Sequence, residues 1–408
     1  MSSSSNESLF SSALGPESGT LYRMSRAIAE AFPERRVVEG LTHTFDIEEF
    51  SQAGRCEARP RSNPHPLMQA EWRRRKGISA TAACAVFDVT WNGRSLVVVK
   101  AEWFDTFCHR TYVWVVAESR TVARELASEV CEFCNEPRNA VLLFQGGCWS
   151  KSPEMWEQIE AASFEDLVLS GDRAREIRED FASFLRARKD YERYGVPWKR
   201  GVLFVGPPGN GKTHCLRATI KFLGVPCLYV HSLKSRYETD DANIAKVFER
   251  AREVTPCCLV FEDLDAIITS ENRSVFLNQL DGFANSAGLL TLATTNHPER
   301  LDPAILERPS RFDRKYHFGL PNDVERRRYA ASWIDRLDAA MRIEDADRDR
   351  IIEATDGFSF AYLKELFLSS MVRWMKKREP GSMTGILDGQ LATLREQMKT
   401  DTSDTPKT

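Results

Sequence analysis

Eight residues, Gly206 to Thr213, decide the framework of this chain: they read GPPGNGKT and meet G-x-x-x-x-G-K-T at every required position. The apolar run Val202, Leu203, Phe204, Val205 precedes them and a segment with helical spacing follows, so a buried strand turns here into a helix. Such a turn cradles phosphate. The loop Gly206, Pro207, Pro208, Gly209, Asn210, Gly211 curls its backbone N–H groups inward, Lys212 reaches the outer phosphates, and the Thr213 hydroxyl is suited to magnesium.

With 408 residues the chain has room for two or three domains, and 42% hydrophobic against 28% charged residues is the balance of an ordinary soluble protein. A net charge of -3 gives no global attraction to nucleic acid, so no such partner is expected. The basic run Arg73, Arg74, Arg75, Lys76 is the one feature pointing the other way, and a solvated surface turn accounts for it. No apolar run of about eighteen residues occurs, which predicts no transmembrane anchor. The serine-rich start has neither a basic n-region nor an apolar h-region and reads as a disordered tail. A cytoplasmic location follows, with a mitochondrial one as the alternative because Arg23, Arg26, Arg35 and Arg36 sit in a weakly amphipathic segment.

Ten cysteines scattered through strands and helices, Cys257 and Cys258 within one apolar run, fit buried, reduced thiols. Cys131 and Cys134 form a C-x-x-C. With only Cys148, Cys108 and His109 as further ligands, two thiols at a helix end is the simpler reading than zinc.

Residues 1–75 show little sustained period and are expected to be mostly irregular. From Ala82 the pattern becomes strands, with Asn92-Gly93 suited to a tight hairpin, followed by a helix through Val122, Leu126 and Val130 and a short run Val141 to Phe144. This predicts a small α+β domain over 76–150, with a role in recognition or positioning. Over 151–320, apolar runs at Val202, Val225, Cys257, Leu289 and Tyr316 alternate with helical segments, which predicts a parallel sheet covered on both faces. Beyond Pro321 the chain reads as helical: Asn322 with Glu325 starts one helix, and Ser359 caps another whose apolar side is Leu363, Leu366, Phe367 and Val372. Residues 381–408 read as a loose polar tail. The fold class is α/β, a parallel-sheet phosphate-loop core with a helical C-terminal region and a small α+β N-terminal domain.

The third core run ends in Glu262, Asp263, Leu264, Asp265. Acids at the carboxyl end of a buried strand beside a phosphate loop can hold magnesium and polarise an attacking water; acids at a helix start are the plain alternative. Asn296, ending the next strand in chain order, can align that water, and Arg308 or Arg311 can offset charge developing on a phosphate.

Taken together, GPPGNGKT, LVFEDLDAI, FLNQLDGF, TTNHPERLDPAI and RPSRFDR resemble the AAA ATPases from about Ser163 to Lys376. Within that group, the segment Tyr194 to Thr213 and the Glu-Asp order at 262 and 263 are most similar to the mitochondrial translocases that assemble the Rieske protein, although this sequence shows no membrane anchor. The resemblance implies ATP and magnesium as cofactors. Gly206 to Thr213 would wrap the phosphates. Glu262 falls at the metal-associated acid and Asp263 at the base, the reverse of the usual Asp-Glu order and so a base one methylene shorter. Asn296 matches the polar sensor. Arg308 and Arg311 match the pair that acts on ATP of the neighbouring subunit, which implies a ring, usually a hexamer. Residues 321–380 match the helical lid, with Ala361 where other branches carry arginine. Adenine contacts are expected near Val168 and Leu169 and from the lid. Tyr237 falls about where threading members place an aromatic pore residue, but no glycine follows it and Glu238, Asp240 and Asp241 surround it.

The function implied is an ATP-hydrolysing motor that remodels or translocates an unidentified protein substrate. The alternative left open by the reversed acids is a slow-turnover assembly or scaffold protein. No histidine begins H-E-x-x-H, so these residues lack the zinc-hydrolase signature of a related membrane protease group.

Overall fold

The computed structural model describes residues 19–403 apart from 43–44, 63–65, 74–76, 106–107, 136–139, 170, 283–286 and 309. The serine-rich start and most of the basic run after Trp72 therefore lie outside the described residues, as do the side chains of Cys108 and His109. Two compact units divide at residue 136.

The first unit is an antiparallel sheet of β1 (Arg36–Thr42), β2 (Glu57–Pro60), β3 (Leu67–Arg73), β4 (Gly77–Trp91), β5 (Arg94–Asp105) and β6 (Cys108–Ala117). Its order is β1-β6-β5-β4-β2, with β3 also paired to β4. The turn between β4 and β5 is Asn92 and Gly93, with φ of 49° and 74°, as a two-residue hairpin with right-handed strand twist requires. Side chains alternate strictly. Val98, Val113 and Val115 pack in one cluster with Leu126 and Val130 of the helix Arg120–Asn135, while Val97, Val99, Trp114 and Val116 cluster with Ile28 of the helix Thr20–Ala31. Because both faces are covered, residues 96–99 of β5 and 113–117 of β6 are apolar at successive positions rather than at every second one. Cys131 and Cys134 pack at the edge of the first cluster, where the Cys134 thiol also accepts from Asp46 N.

Two expectations change here. Residues 20–73, expected to be mostly irregular, form two helices and three strands of this sheet. The short run Val141 to Phe144, assigned to the small domain, belongs instead to the other sheet.

That sheet contains β7 (Val141–Gln145), β8 (Cys148–Ser152), β9 (Arg200–Val205), β10 (Cys227–Val230), β11 (Cys257–Phe261), β12 (Leu289–Thr295) and β13 (Arg314–His317), in the order β13-β9-β12-β11-β10-β7-β8. Every pair is parallel except the β7–β8 hairpin, and β7 joins through Leu142 opposite Leu228. Val202, Phe204, Val260 and Leu292 lie in the cluster on one face, Leu203, Val205, Leu259 and Phe261 in the cluster on the other. In β9 a Cβ at Gly201 would come within 1.8 Å of the Arg311 carbonyl, so only glycine lets the segment that carries the arginines cross this strand. Register sets Thr295 opposite Val205 and Phe261 opposite Ala293, so Gly206, Glu262 and Asn296 all leave the sheet at one edge. In open α/β sheets that edge is where ligands bind.

The helices Asp323–Ile334, Asp345–Glu353, Phe360–Lys377 and Met383–Ser403 share a core around Phe358, Leu366, Phe367 and Leu387. Asn322 and Glu325 cap one another reciprocally at 3.0 and 2.7 Å, the predicted helix start. Ser359 accepts from Tyr362 N at 3.3 Å. Val372, placed by its spacing on the buried side, is instead 50% exposed. The expected polar tail is a helix as far as residue 403, because Met383, Leu387 and Leu394 repeat on one side and bury themselves in the same core. Among the described residues no helix is long and apolar enough to cross a membrane.

Candidate active site

The loop from Gly206 to Thr213 joins β9 to the helix Lys212–Leu223. Gly209 and Gly211 have φ of 77° and 89°, a conformation that side chains strain. Lys212 is buried and folds back so that Nζ donates to the carbonyls of Gly206 at 2.6 Å and Pro207 at 2.9 Å. Burial holds its pKa below the usual lysine range, with Asp263 and Asp265 opposing the shift. Neutral carbonyls are modest partners for an ammonium, so phosphate oxygens would displace them. Asn210, also buried, donates to Pro207 O at 3.3 Å and Pro208 O at 3.5 Å and ties the loop to itself.

The acids follow β11 directly. Asp263 takes a left-handed backbone, φ 51°, which aspartate tolerates better than most residues and which turns its side chain toward the loop side of the sheet edge. The three polar residues at the end of β12 fix this turn: Thr294 Oγ1 accepts from Asp263 N at 3.0 Å, Thr295 Oγ1 donates to Asp265 at 2.7 Å, and Asn296 Nδ2 donates to Asp263 Oδ1 at 3.0 Å. Glu262 is treated differently. The Tyr229 phenol on β10 donates to its Oε2, while Oε1 is buried and has no hydrogen-bond partner among the described residues. Burial pushes the Glu262 carboxyl above the usual range; the nearby Thr213 hydroxyl and Arg217 oppose this, and Asp263 adds to it.

These donors fit a divalent cation of one kind. Among the described residues no group of three or more histidine, cysteine or acidic side chains is placed to hold a metal. A cation that brings oxygen ligands on a nucleotide needs only a hydroxyl and a carboxylate from the protein, and Thr213 with the unpaired oxygen of Glu262 supply them.

A cleft of roughly 740 Å³ opens over the loop, with Lys212, Thr213, Asp263 and Asn296 on its wall. Leu167 and Val168 line it as well, whereas Leu169, read as an adenine contact, is buried in the core below. From the C-terminal helices come Arg328, Tyr329, Trp333, Arg336, Phe360, Ala361 and Lys364. Ala361 N donates to Gly209 O at 3.0 Å, and a Cβ at 209 would lie 2.7 Å from the Ala361 methyl, so the helix start sits directly on the loop. The aromatic pair Tyr329 and Trp333 was not foreseen; its signal was the four-residue spacing on one helix face.

Arg308 and Arg311 lie away from this cleft. Arg311 is buried and holds Asp281 in a two-point grip, 2.9 and 2.6 Å, with a further bond to the Ala304 carbonyl. Arg311 first, then Arg308 and Lys199, hold the Asp281 carboxyl below the usual range against partial burial. Arg308 stays 64% exposed and only grazes Asp281 at 3.6 Å. Tyr237 is exposed on the segment after β10, with the Arg236 guanidinium 5.7 Å from its ring centre.

Phosphate loop, acid pair and polar strand end thus meet at one sheet edge, and the profile of the ATPase family associated with various cellular activities (AAA) matches residues 202–320. That segment is an AAA domain. Over 204 residues, 46% of this chain and 30% of the relative, the chain is 37% identical to the ATP-dependent zinc metalloprotease FtsH of Acidothermus cellulolyticus. It is 33% identical over 220 residues to a probable 26S proteasome regulatory subunit 10B of Caenorhabditis elegans, covering 50% of this chain and 53% of that one. The 26S proteasome regulatory subunit 10B homolog A of Arabidopsis thaliana is 35% identical over 214 residues, 48% and 52% of the two chains. The chain therefore spans between about a third and a half of the length of these relatives.

Proposed function

We propose that the chain binds and hydrolyses ATP in this cleft and acts as a ring, with six subunits the usual number, that remodels or moves a protein substrate. The observation that carries the reading is the convergence of Lys212, Thr213, Asp263 and Asn296 on one wall. The loop N–H groups and Lys212 bind the triphosphate. Asn296 orients Asp263 through their 3.0 Å hydrogen bond, and Asp263 accepts the proton of the attacking water. Thr213 and Glu262 hold magnesium, which when bound offsets the charge of the phosphate oxygens. The helices above the cleft exclude bulk water. Arg308, exposed and outside its own cleft, is suited to the cleft of a second copy.

The printed names of the relatives, an ATP-dependent protease and a proteasome regulatory subunit, support work on proteins. The Glu-Asp order and the segment Tyr194 to Thr213 support a place near the translocases that assemble the Rieske protein. A cytoplasmic location, or a mitochondrial one, belongs to the same proposal. The reversed acids also favour a second reading, a ring that binds ATP and turns over slowly.

Mixing two variants tests the ring. Lys212→Ala lacks a working cleft but keeps Arg308, and Arg308→Ala has the opposite defect. Phosphate release that returns on mixing two nearly silent samples supports hydrolysis at a subunit boundary; no return at any ratio contradicts it.

A further inference from the structure

Tyr229 occupies the third position of β10, a strand of four buried residues, and is itself 7% exposed. Its partner across the parallel ladder is Val260. Glu262, two residues beyond Val260, points to the same side by the strand period, and the phenol leans along the strand to donate to Glu262 Oε2. One carboxylate oxygen is thereby pinned and the other, Oε1, is buried without a hydrogen bond among the described residues. A buried oxygen left in that state is destabilising unless something completes it.

We propose that Tyr229 is a positioning residue for the metal: it holds Glu262 so that Oε1 faces the cation that accompanies the nucleotide beside Thr213. This rests on the reading of the cleft as an ATP site. A glutamate is one methylene longer than an aspartate, and the extra length is what spans the gap to a phenol on the neighbouring strand. Without the phenol, the longer side chain regains rotamer freedom that metal binding must remove again. Partners of this kind behind a metal ligand are commonly worth about ten- to a hundred-fold in metal affinity.

A double-mutant cycle of Tyr229→Phe and Glu262→Asp on the full chain tests it, read by binding of a fluorescent ATP analogue in EDTA and across a magnesium titration, with thermal melting alongside. Tyr229→Phe deletes one oxygen. It should leave affinity in EDTA within about two-fold of wild type and raise the magnesium midpoint about ten-fold. In the Glu262→Asp background, where the shorter carboxylate does not reach the phenol, the same change should add less than about two-fold. Glu262→Asp alone should raise the midpoint too; if Tyr229→Phe does not fold, Tyr229→Leu, which also lacks the hydroxyl, stands in with the same expectations. A wild-type midpoint in Tyr229→Phe, an equal loss in EDTA, or independent factors in the cycle would each overturn the proposal. A wild-type chain that binds no nucleotide in either condition would instead overturn the reading of the cleft, and this proposal with it.

Discussion

Lys212 and Arg311 are both basic, both more than nine-tenths buried, and both come from segments whose sequence points to nucleotide chemistry, yet their partners differ in kind. Lys212 rests on two neutral carbonyls of its own loop, which an anion displaces at little cost. Arg311 grips a carboxylate at two points, and releasing it would strand the charge of Asp281. The phosphate loop thus holds its cation ready, whereas the segment 308–314 spends one arginine on its own architecture and leaves Arg308 exposed. Which acceptor a buried cation has, more than its burial, sets how readily it can be released to a ligand.

The comparison breaks most visibly at the loop. Lys212→Ala should lose ATP binding by three decades or more, about 4 kcal/mol, with melting little changed; retained binding by titration calorimetry would place the nucleotide elsewhere. Next comes Arg308→Ala, for which phosphate release by the assembled ring should fall by about three decades while stability stays within about 0.5 kcal/mol. Arg311→Ala should behave the other way, losing about 3 kcal/mol in urea unfolding because Asp281 is left without its main partner. Were Arg311→Ala as stable as wild type, the contrast with Lys212 would fail.

The smallest effect is in acid. The Asp281 carboxyl is held below its ordinary value of 3.8, chiefly by Arg311. A lowered folded-state pKa contributes stability that is present above 3.8 and is lost as the pH falls through the folded value. The gap in stability between wild type and Arg311→Ala should therefore hold at neutral pH and narrow below 3.8. A gap that widens in acid would reverse the sign.

The phosphate loop was legible in the chain because it is local: strand, loop and helix are contiguous, and each residue type is demanded by backbone curvature or charge. The Asn92-Gly93 turn and the Asn322-Glu325 cap were legible for the same reason. What escaped depends on partners distant in sequence. β2 has four residues and acquires its identity only by pairing with β4, and Val141 to Phe144 joins the second sheet only through β10. No local pattern tells Arg308 from Arg311, since their difference is the position of Asp281. Tyr229 was unreadable beside Glu262 because strand register alone brings them together.

Asp263 carries the central claim, that this sheet edge cleaves ATP as well as binding it. The direct measurement is phosphate release set against ATP affinity on the same samples of wild type and Asp263→Asn. If Asp263 takes the proton from water, affinity stays within about three-fold while release falls by at least about a hundred-fold. Equal rates of release from the two proteins would contradict it.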